Sequence, residues 1–278
     1  MKSILPDQYA VEKQFNSRVD NFFAKYEISK KLRRCNFRKT KGFSCLEIFK
    51  FIFLLVFSGK NLYRTLQSET DSGMPQKDTI YRFLNSCRYN WRKFLLTLSS
   101  TIIKETIEPL KPHSWKNVLI LDDSLYSRNR SKAVELLARV RDHVEHKYVL
   151  GFRMLTLGWS DGNTFLPVAF SLLSSENEHN RLCGINQRLD KRTTGYKRRM
   201  ESIKKSTEVM FDLLRQAQEH GIKARYLLFD SWFAFPAIIC KVREHRLHVI
   251  CMLKSMKKVL YTYKGEKMNL DTLYKELL

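Results

Sequence analysis

The chain has 278 residues, 44% of them hydrophobic, which excludes disorder along its whole length. It carries 50 lysines and arginines against 28 aspartates and glutamates, a formal net charge of +22. Because a charge of this size repels itself, the composition favours a polyanionic partner, with nucleic acid preferred over a membrane surface.

The first 112 residues predict a helical region. Apolar residues recur at helical spacing from 46 to 56 and again from 94 to 103. Pro109 and Pro112 end the second run. A basic cluster precedes these runs and consists of Lys30, Lys31, Arg33, Arg34, Arg38, Lys39 and Lys41. We expect residues 1–112 to form a helical N-terminal DNA-binding region.

After residue 112 the pattern changes to short strands. Residues 118–121 are a wholly apolar run. Residues 148–159 and 164–173 predict a hairpin around a turn signal. Pro167 cannot donate a ladder hydrogen bond, so the second hairpin strand should lie at a sheet edge. The polar segment 174–199 shows no periodic pattern.

Strands and helices then alternate. Residues 203–217 carry one apolar helical face, and Gly221 stands where a left-handed C-cap belongs. Residues 225–229 form another short apolar strand, Pro236 suits the first turn of a helix, and residues 247–253 predict a further strand. This order predicts an α/β fold, a mixed sheet flanked by helices in which the central strands are parallel.

Two of these strands stop at aspartates. Asp122 and Asp123 follow the first strand, and Asp230 follows the strand that begins near residue 225. If the two strands are neighbours, the carboxylates converge at one sheet edge, where α/β proteins bind ligands. Converging carboxylates stay ionised around a cation, and Mg²⁺ suits hard oxygen ligands. The alternative is that each aspartate only caps the turn after its strand.

Four motifs resemble insertion-sequence transposases of the IS-four family. LILDDS (119–124) and GFRMLTLGWSDG (151–162) are similar to the family's first-aspartate region, and LLFDSWF (227–233) to its second-aspartate motif. KRTTGYKRR (191–199) is similar to a block of one branch. The resemblance covers roughly residues 75–278, and the aspartate blocks are its most specific part.

The resemblance implies a ribonuclease-H-like catalytic domain whose Asp, Asp and Glu bind two divalent ions, Mg²⁺ or Mn²⁺. It implies cut-and-paste transposition, in which element ends are cleaved and joined to new DNA. By motif position, Asp122 or Asp123 is the first catalytic and metal-binding acid, and Asp230 is the second. We prefer Asp122, which directly follows the apolar strand, and keep Asp123 as the alternative.

The third acid of that family is a glutamate in a helical Tyr…Arg…Glu…Lys signature. Glu244 comes too early for this role, and Glu266 lies in a turn-like stretch. We therefore expect an incomplete catalytic core over residues 113–258, followed at 259–278 by the start of a β-rich insertion. This predicts a truncated copy with little or no cleavage activity of its own.

DNA contacts are predicted for the second basic cluster, in the loop-like segment before residue 200. Its candidate residues are Arg188, Lys191, Arg192, Lys197, Arg198 and Arg199. Trp232, Phe233 and Phe235 follow Asp230 and suit either core packing, which we favour, or base stacking.

The expected partner is double-stranded DNA, both element terminal repeats and target, bound by a homodimer. With no signal or spanning segment in the sequence, we expect a cytoplasmic, nucleoid-associated protein without membrane contact. Two other functions stay open: a non-catalytic DNA-binding protein or transposition inhibitor, and an unrelated ribonuclease-H-like nuclease.

Overall fold

A computed structural model describes residues 8–57, 59, 61–68, 73–112, 114–142, 145–256 and 259–278. The helices are α1 Gln8–Lys25, α2 Ile28–Arg34, α3 Cys45–Phe57, α4 Leu62–Ser68, α5 Lys77–Leu84, α6 Trp91–Ile102, α7 Thr194–Ser202, α8 Ser206–Glu219, α9 Pro236–Glu244 and α10 Leu270–Leu277. The strands are β1 Val118–Ser127, β2 Ala138–Arg141, β3 Tyr148–Ser160, β4 Phe165–Leu173, β5 Tyr226–Phe229, β6 His248–Ile250, β7 Tyr261–Tyr263 and β8 Glu266–Met268. Among the described residues, no helix combines the length and the apolar composition that a membrane span requires.

Helices α1 to α6 form the N-terminal region around an aromatic core. Phe37 lies at its centre, and its ring centroid is 4.5 Å from that of Tyr89 and 4.6 Å from that of Trp91. Asn90 caps α6 by accepting a hydrogen bond from the Lys93 amide at 3.0 Å. The predicted helical region is thus confirmed, whereas the predicted boundary residue, 113, lies outside the described residues.

A mixed sheet follows, with the strand order β4–β3–β1–β5–β6, and β2 pairs with the other end of β3. Strand β1 is antiparallel to β3 and parallel to β5, which is parallel to β6. This is the arrangement of a ribonuclease-H-like domain, and the predicted α/β fold class is confirmed.

The hairpin of β3 and β4 is also confirmed, with β4 at a sheet edge. Pro167 faces Gly158, while Leu157 faces Ala169, so Val168 is the extra residue of a β-bulge. The Pro167 carbonyl accepts a hydrogen bond from Ser99 Oγ at 2.7 Å, which attaches this edge to α6.

One face of the sheet carries the main core. Leu119 and Leu121 of β1 and Leu227 and Phe229 of β5 are buried with the apolar side of α8. Gly221 has a φ of +73° directly after the C-cap of α8, as the sequence predicted. Pro236 is likewise found in the first turn of α9.

Three predicted elements differ in extent. Strand β1 continues through both aspartates to Ser127, because β3 pairs with it as far as Gly151. The segment expected to lack regular structure contains α7. The strand expected at 247–253 ends at Ile250, since its pairing partner β5 ends at Phe229.

Candidate metal centre and DNA-contact surface

The parallel register of β1 and β5 brings two of the three predicted acids together. Leu121 lies beside Phe229, so the next residues, Asp122 and Asp230, occupy adjacent positions. The Asp230 backbone is still extended, with φ −70° and ψ 164°. Adjacent strands run roughly 5 Å apart, and side chains alternate between faces. Asp122 and Asp230 therefore share the face opposite to that of Leu121 and Phe229, and both are exposed.

Asp123 belongs to the opposite face of the same strand. Its side chain is only 9% exposed, and its Oδ1 accepts a hydrogen bond from Arg153 Nε at 2.9 Å. Arg153 also donates to the Asp123 carbonyl at 3.3 Å. An arginine that neutralises a largely buried carboxylate takes the place that a cation would occupy, so this environment favours Asp122 over Asp123 as a metal ligand.

The exposed carboxylates of Asp122 and Asp230 provide the oxygen ligands that a hard divalent ion prefers. Ser124 Oγ donates to Asp122 Oδ2 at 2.6 Å, which orients that carboxylate. Asp230 Oδ1 accepts a hydrogen bond from the Trp232 amide. Mg²⁺ commonly takes one or two carboxylates and completes its shell with waters and substrate phosphates. Within the described part of the chain, no group of three or more His, Cys, Asp or Glu is arranged to hold a metal ion.

The predicted DNA-contact cluster divides into paired and unpaired cations. Arg192 pairs with Asp190, Arg198 with Glu201, and Arg199 with Glu135. The hydrogen bond from Arg199 holds the pKa of the Glu135 carboxyl below its usual value. The other three residues of this cluster are exposed and have no ion pair among the described residues: Arg188, Lys191 and Lys197.

The expectation that this cluster lies on a loop is only half right. Lys197, Arg198 and Arg199 stand on α7, which Thr193 caps by accepting a hydrogen bond from the Tyr196 amide at 3.3 Å. The polar composition concealed a nine-residue helix with little apolar surface of its own.

A buried ion network fixes the end of α7 to the helical region. Arg92 of α6 donates to both carboxylate oxygens of Glu201, at 2.8 and 2.6 Å, and their side chains are 5% and 7% exposed. Ser171 Oγ and Arg198 also donate to this carboxylate, at 2.6 and 2.7 Å. Burial raises the pKa of Glu201, and the charge of Arg198 and the Ser171 hydrogen bond oppose that shift.

The start of α7 touches the helical region as well. The Gly195 amide donates to the Cys87 carbonyl at 2.7 Å, and a Cβ at Gly195 would lie 2.8 Å from Cys87 Cα. Only glycine permits this approach. Helix α7 is therefore held at both ends by residues of the N-terminal region.

The first basic cluster borders a cleft of about 450 Å³ between α2 and α3. Arg33, Arg38 and Lys39 line it, together with Ser44 at the start of α3. Lys31 of the same cluster is buried and donates to the Tyr26 carbonyl at 2.7 Å, so it is a structural residue.

Sequence reasoning missed Arg153 and Ser124, which bond to the two aspartates of β1, and Arg92, which pairs with Glu201. For Arg153 a signal was present, because an arginine inside an apolar strand indicates a buried partner. Of the aromatic residues after Asp230, Phe233 is 1% exposed and packs in the core as expected. Trp232 and Phe235 instead are 47% and 45% exposed.

The family model described as DDE superfamily endonuclease matches residues 53–266. The chain therefore belongs to the DDE superfamily endonucleases, a class consistent with its ribonuclease-H-like sheet. No curated protein matches the chain.

Two solved structures are similar at low identity. The Drosophila P element transposase strand transfer complex has 12% identity and a TM-score of 0.36, over 94% of this chain and 55% of that one. The piggyBac transposase synaptic complex with hairpin DNA has 11% identity and a TM-score of 0.31, over 84% of this chain and 42% of that one. The chain thus spans about half the length of the structures it matches.

Proposed function

We propose that this protein is a DNA transposase of the IS-four type, whose Asp122 and Asp230 bind Mg²⁺ or Mn²⁺ at the DNA strand to be cut. The observation that carries the proposal is the parallel register of Leu121 and Phe229, which puts these two acids side by side on one open face. Asp123 acts through Arg153 as a positioning group for β1. When bound, divalent ions activate a water or 3′-hydroxyl and stabilise the leaving oxygen of a phosphodiester.

The protein's own residues supply orientation and DNA binding. Ser124 holds the Asp122 carboxylate, and the Trp232 amide holds that of Asp230. The exposed cations of the second cluster contact phosphates of the element ends or the target. The helical region of residues 1–112 provides further DNA contacts through the cleft lined by Arg33, Arg38 and Lys39. A homodimer brings two element ends together.

The test is Mn²⁺ binding measured by electron paramagnetic resonance, run in parallel with Mg²⁺-dependent nicking of supercoiled plasmid by a version of the chain to which a helix with the family's Tyr…Arg…Glu…Lys signature is added. We expect Asp230→Ala to remove nicking and to weaken Mn²⁺ binding, because one of two carboxylate ligands is lost. Asp212→Asn on α8, an acid away from the β1–β5 edge, is the control. Nicking and Mn²⁺ affinity that survive Asp230→Ala would end the proposal. An extended chain without substitutions that binds DNA in EDTA and never cuts would instead support the non-catalytic alternative.

The unpaired cations also allow a test of the DNA-contact surface. Each phosphate contact contributes about −0.9 to the slope of log K against log salt. Lys191→Ala/Lys197→Ala should therefore reduce the slope for duplex DNA by about 1.8. Lys223→Ala/Lys275→Ala removes two exposed lysines elsewhere and should leave the slope unchanged. Equal slopes for the two double variants would remove Lys191 and Lys197 from the interface.

A further inference from the structure

An exposed indole stands beside the candidate metal ligand Asp230. Trp232 belongs to the short 3-10 turn Ser231–Phe233, and its amide is hydrogen-bonded to the Asp230 carboxylate. Phe233 is the residue of this turn that packs in the core: it is 1% exposed, and its ring centroid is 6.2 Å from that of Phe229. Trp232 keeps 47% of its surface open. A large aromatic surface left in water next to charged groups is typical of a binding site.

A cation lies on this indole. Lys254 Nζ is 5.5 Å from the centroid of the Trp232 ring, within the range of a cation–π contact. Lys254 follows β6, whose carboxyl end lies at the same sheet edge as that of β5, because the two strands are parallel. Carboxylate, aromatic ring and ammonium therefore meet at one edge. Phe235 and Met252, which are 45% and 76% exposed, follow the same two strands.

We propose that Trp232 and Lys254 form a stacking platform for an unpaired nucleobase of the DNA strand held at Asp122 and Asp230. The indole stacks on the base, and the ammonium pairs with a flanking phosphate. The net charge of +22 and the lysine on the ring favour a nucleic-acid ligand over an apolar protein segment. The platform rests on the proposed function, because its DNA is the strand bound at the two acids.

The experiment uses a nicked duplex with one unpaired 2-aminopurine at the nick and a fluorescein at the far end, in Ca²⁺ buffer. Anisotropy reports DNA binding, and 2-aminopurine fluorescence reports stacking. Base–aromatic stacking contributes about 1–3 kcal/mol, or roughly 5- to 150-fold in affinity. We expect quenching by wild type and by Trp232→Phe. Trp232→Leu should lose the quenching and bind this DNA roughly tenfold or more weakly, and Lys254→Met should weaken binding with partial quenching.

Trp115→Leu is the matched control. Trp115 is 41% exposed, but it precedes β1 and so lies beyond the amino ends of the parallel strands β1 and β5, whereas Asp230 follows the carboxyl end of β5. The Trp115→Leu variant should bind the DNA and quench the 2-aminopurine fluorescence as wild type does. Quenching retained in Trp232→Leu, or absent in a wild-type chain that binds the DNA, would overturn the platform and leave the metal site standing. A Trp232→Leu change that alters only self-association in sedimentation would assign the patch to protein contacts and also overturn it. A wild-type chain without anisotropy change would reject the proposed function together with the platform.

Discussion

Asp122→Asn is expected to weaken Mn²⁺ binding by at least about 100-fold, whereas Asp123→Asn should leave the affinity nearly unchanged. The two residues are neighbours in sequence, but strand alternation separates their environments. Asp122 is exposed beside Asp230, whereas Asp123 is 9% exposed and bonded to Arg153. A direct ligand contributes at least as much as the outer-shell groups whose loss costs 10–100-fold. The measurement is the free Mn²⁺ signal in a titration of each variant.

The same two substitutions should affect the free energy of unfolding in the opposite order, with Asp123→Asn having the larger effect. Asp123→Asn leaves the Arg153 guanidinium half-buried without its carboxylate and should lower the free energy of unfolding by about 3 kcal/mol. Asp122→Asn relieves repulsion between two adjacent acids and should be neutral or stabilising without metal. Urea denaturation in EDTA checks both. If Asp123→Asn rather than Asp122→Asn loses Mn²⁺, the metal lies on the other face of β1 and the assignment of the first acid is reversed.

The sequence predicted the parts of this fold that depend on local pattern. Short apolar runs around Leu119 and Leu227 indicated central parallel strands, and Pro167 indicated an edge. Once those strands are neighbours, their register determines which acids meet. The choice between Asp122 and Asp123 nevertheless stayed open. Residues one apart on a strand point to opposite faces, and only the position of the core decides which face is open.

The full length of β1 and the presence of α7 were not predicted, because both depend on contacts between residues far apart in the sequence. The extension of β1 to Ser127 depends on β3, because ladder hydrogen bonds let polar residues such as Asp122 continue the strand. Helix α7 lacks an apolar stripe and is held by Arg92, which is 109 residues from Glu201. The pattern of residues 174–199 gives no indication of a partner so far away in the sequence.

The network at the end of α7 predicts the largest stability effect. Glu201→Met should lower the free energy of unfolding by about 3–5 kcal/mol, because it leaves Arg92 buried without a counter-charge. Arg92→Met should cost less, since the Glu201 carboxylate keeps its bonds from Arg198 and Ser171. Urea denaturation of the two variants gives the comparison. Arg215→Met is the matched control, since its pairs with Asp212 and Glu219 are exposed and should contribute less than about 1 kcal/mol.

The double variant Arg92→Met/Glu201→Met separates two quantities: the net contribution of the ion pair to the free energy of unfolding, and the cost of leaving one buried charge without its partner. Removing both charges removes the desolvation that raises the pKa of Glu201, and Arg198, with 37% of its side chain exposed, can turn to water. The double variant should therefore be more stable than Glu201→Met alone, with a coupling energy of about 1–3 kcal/mol. Simple additivity of the two losses would mean that Arg92 and Glu201 act independently. In that case the contact between α6 and α7 would depend on Gly195 and Cys87 rather than on this ion pair.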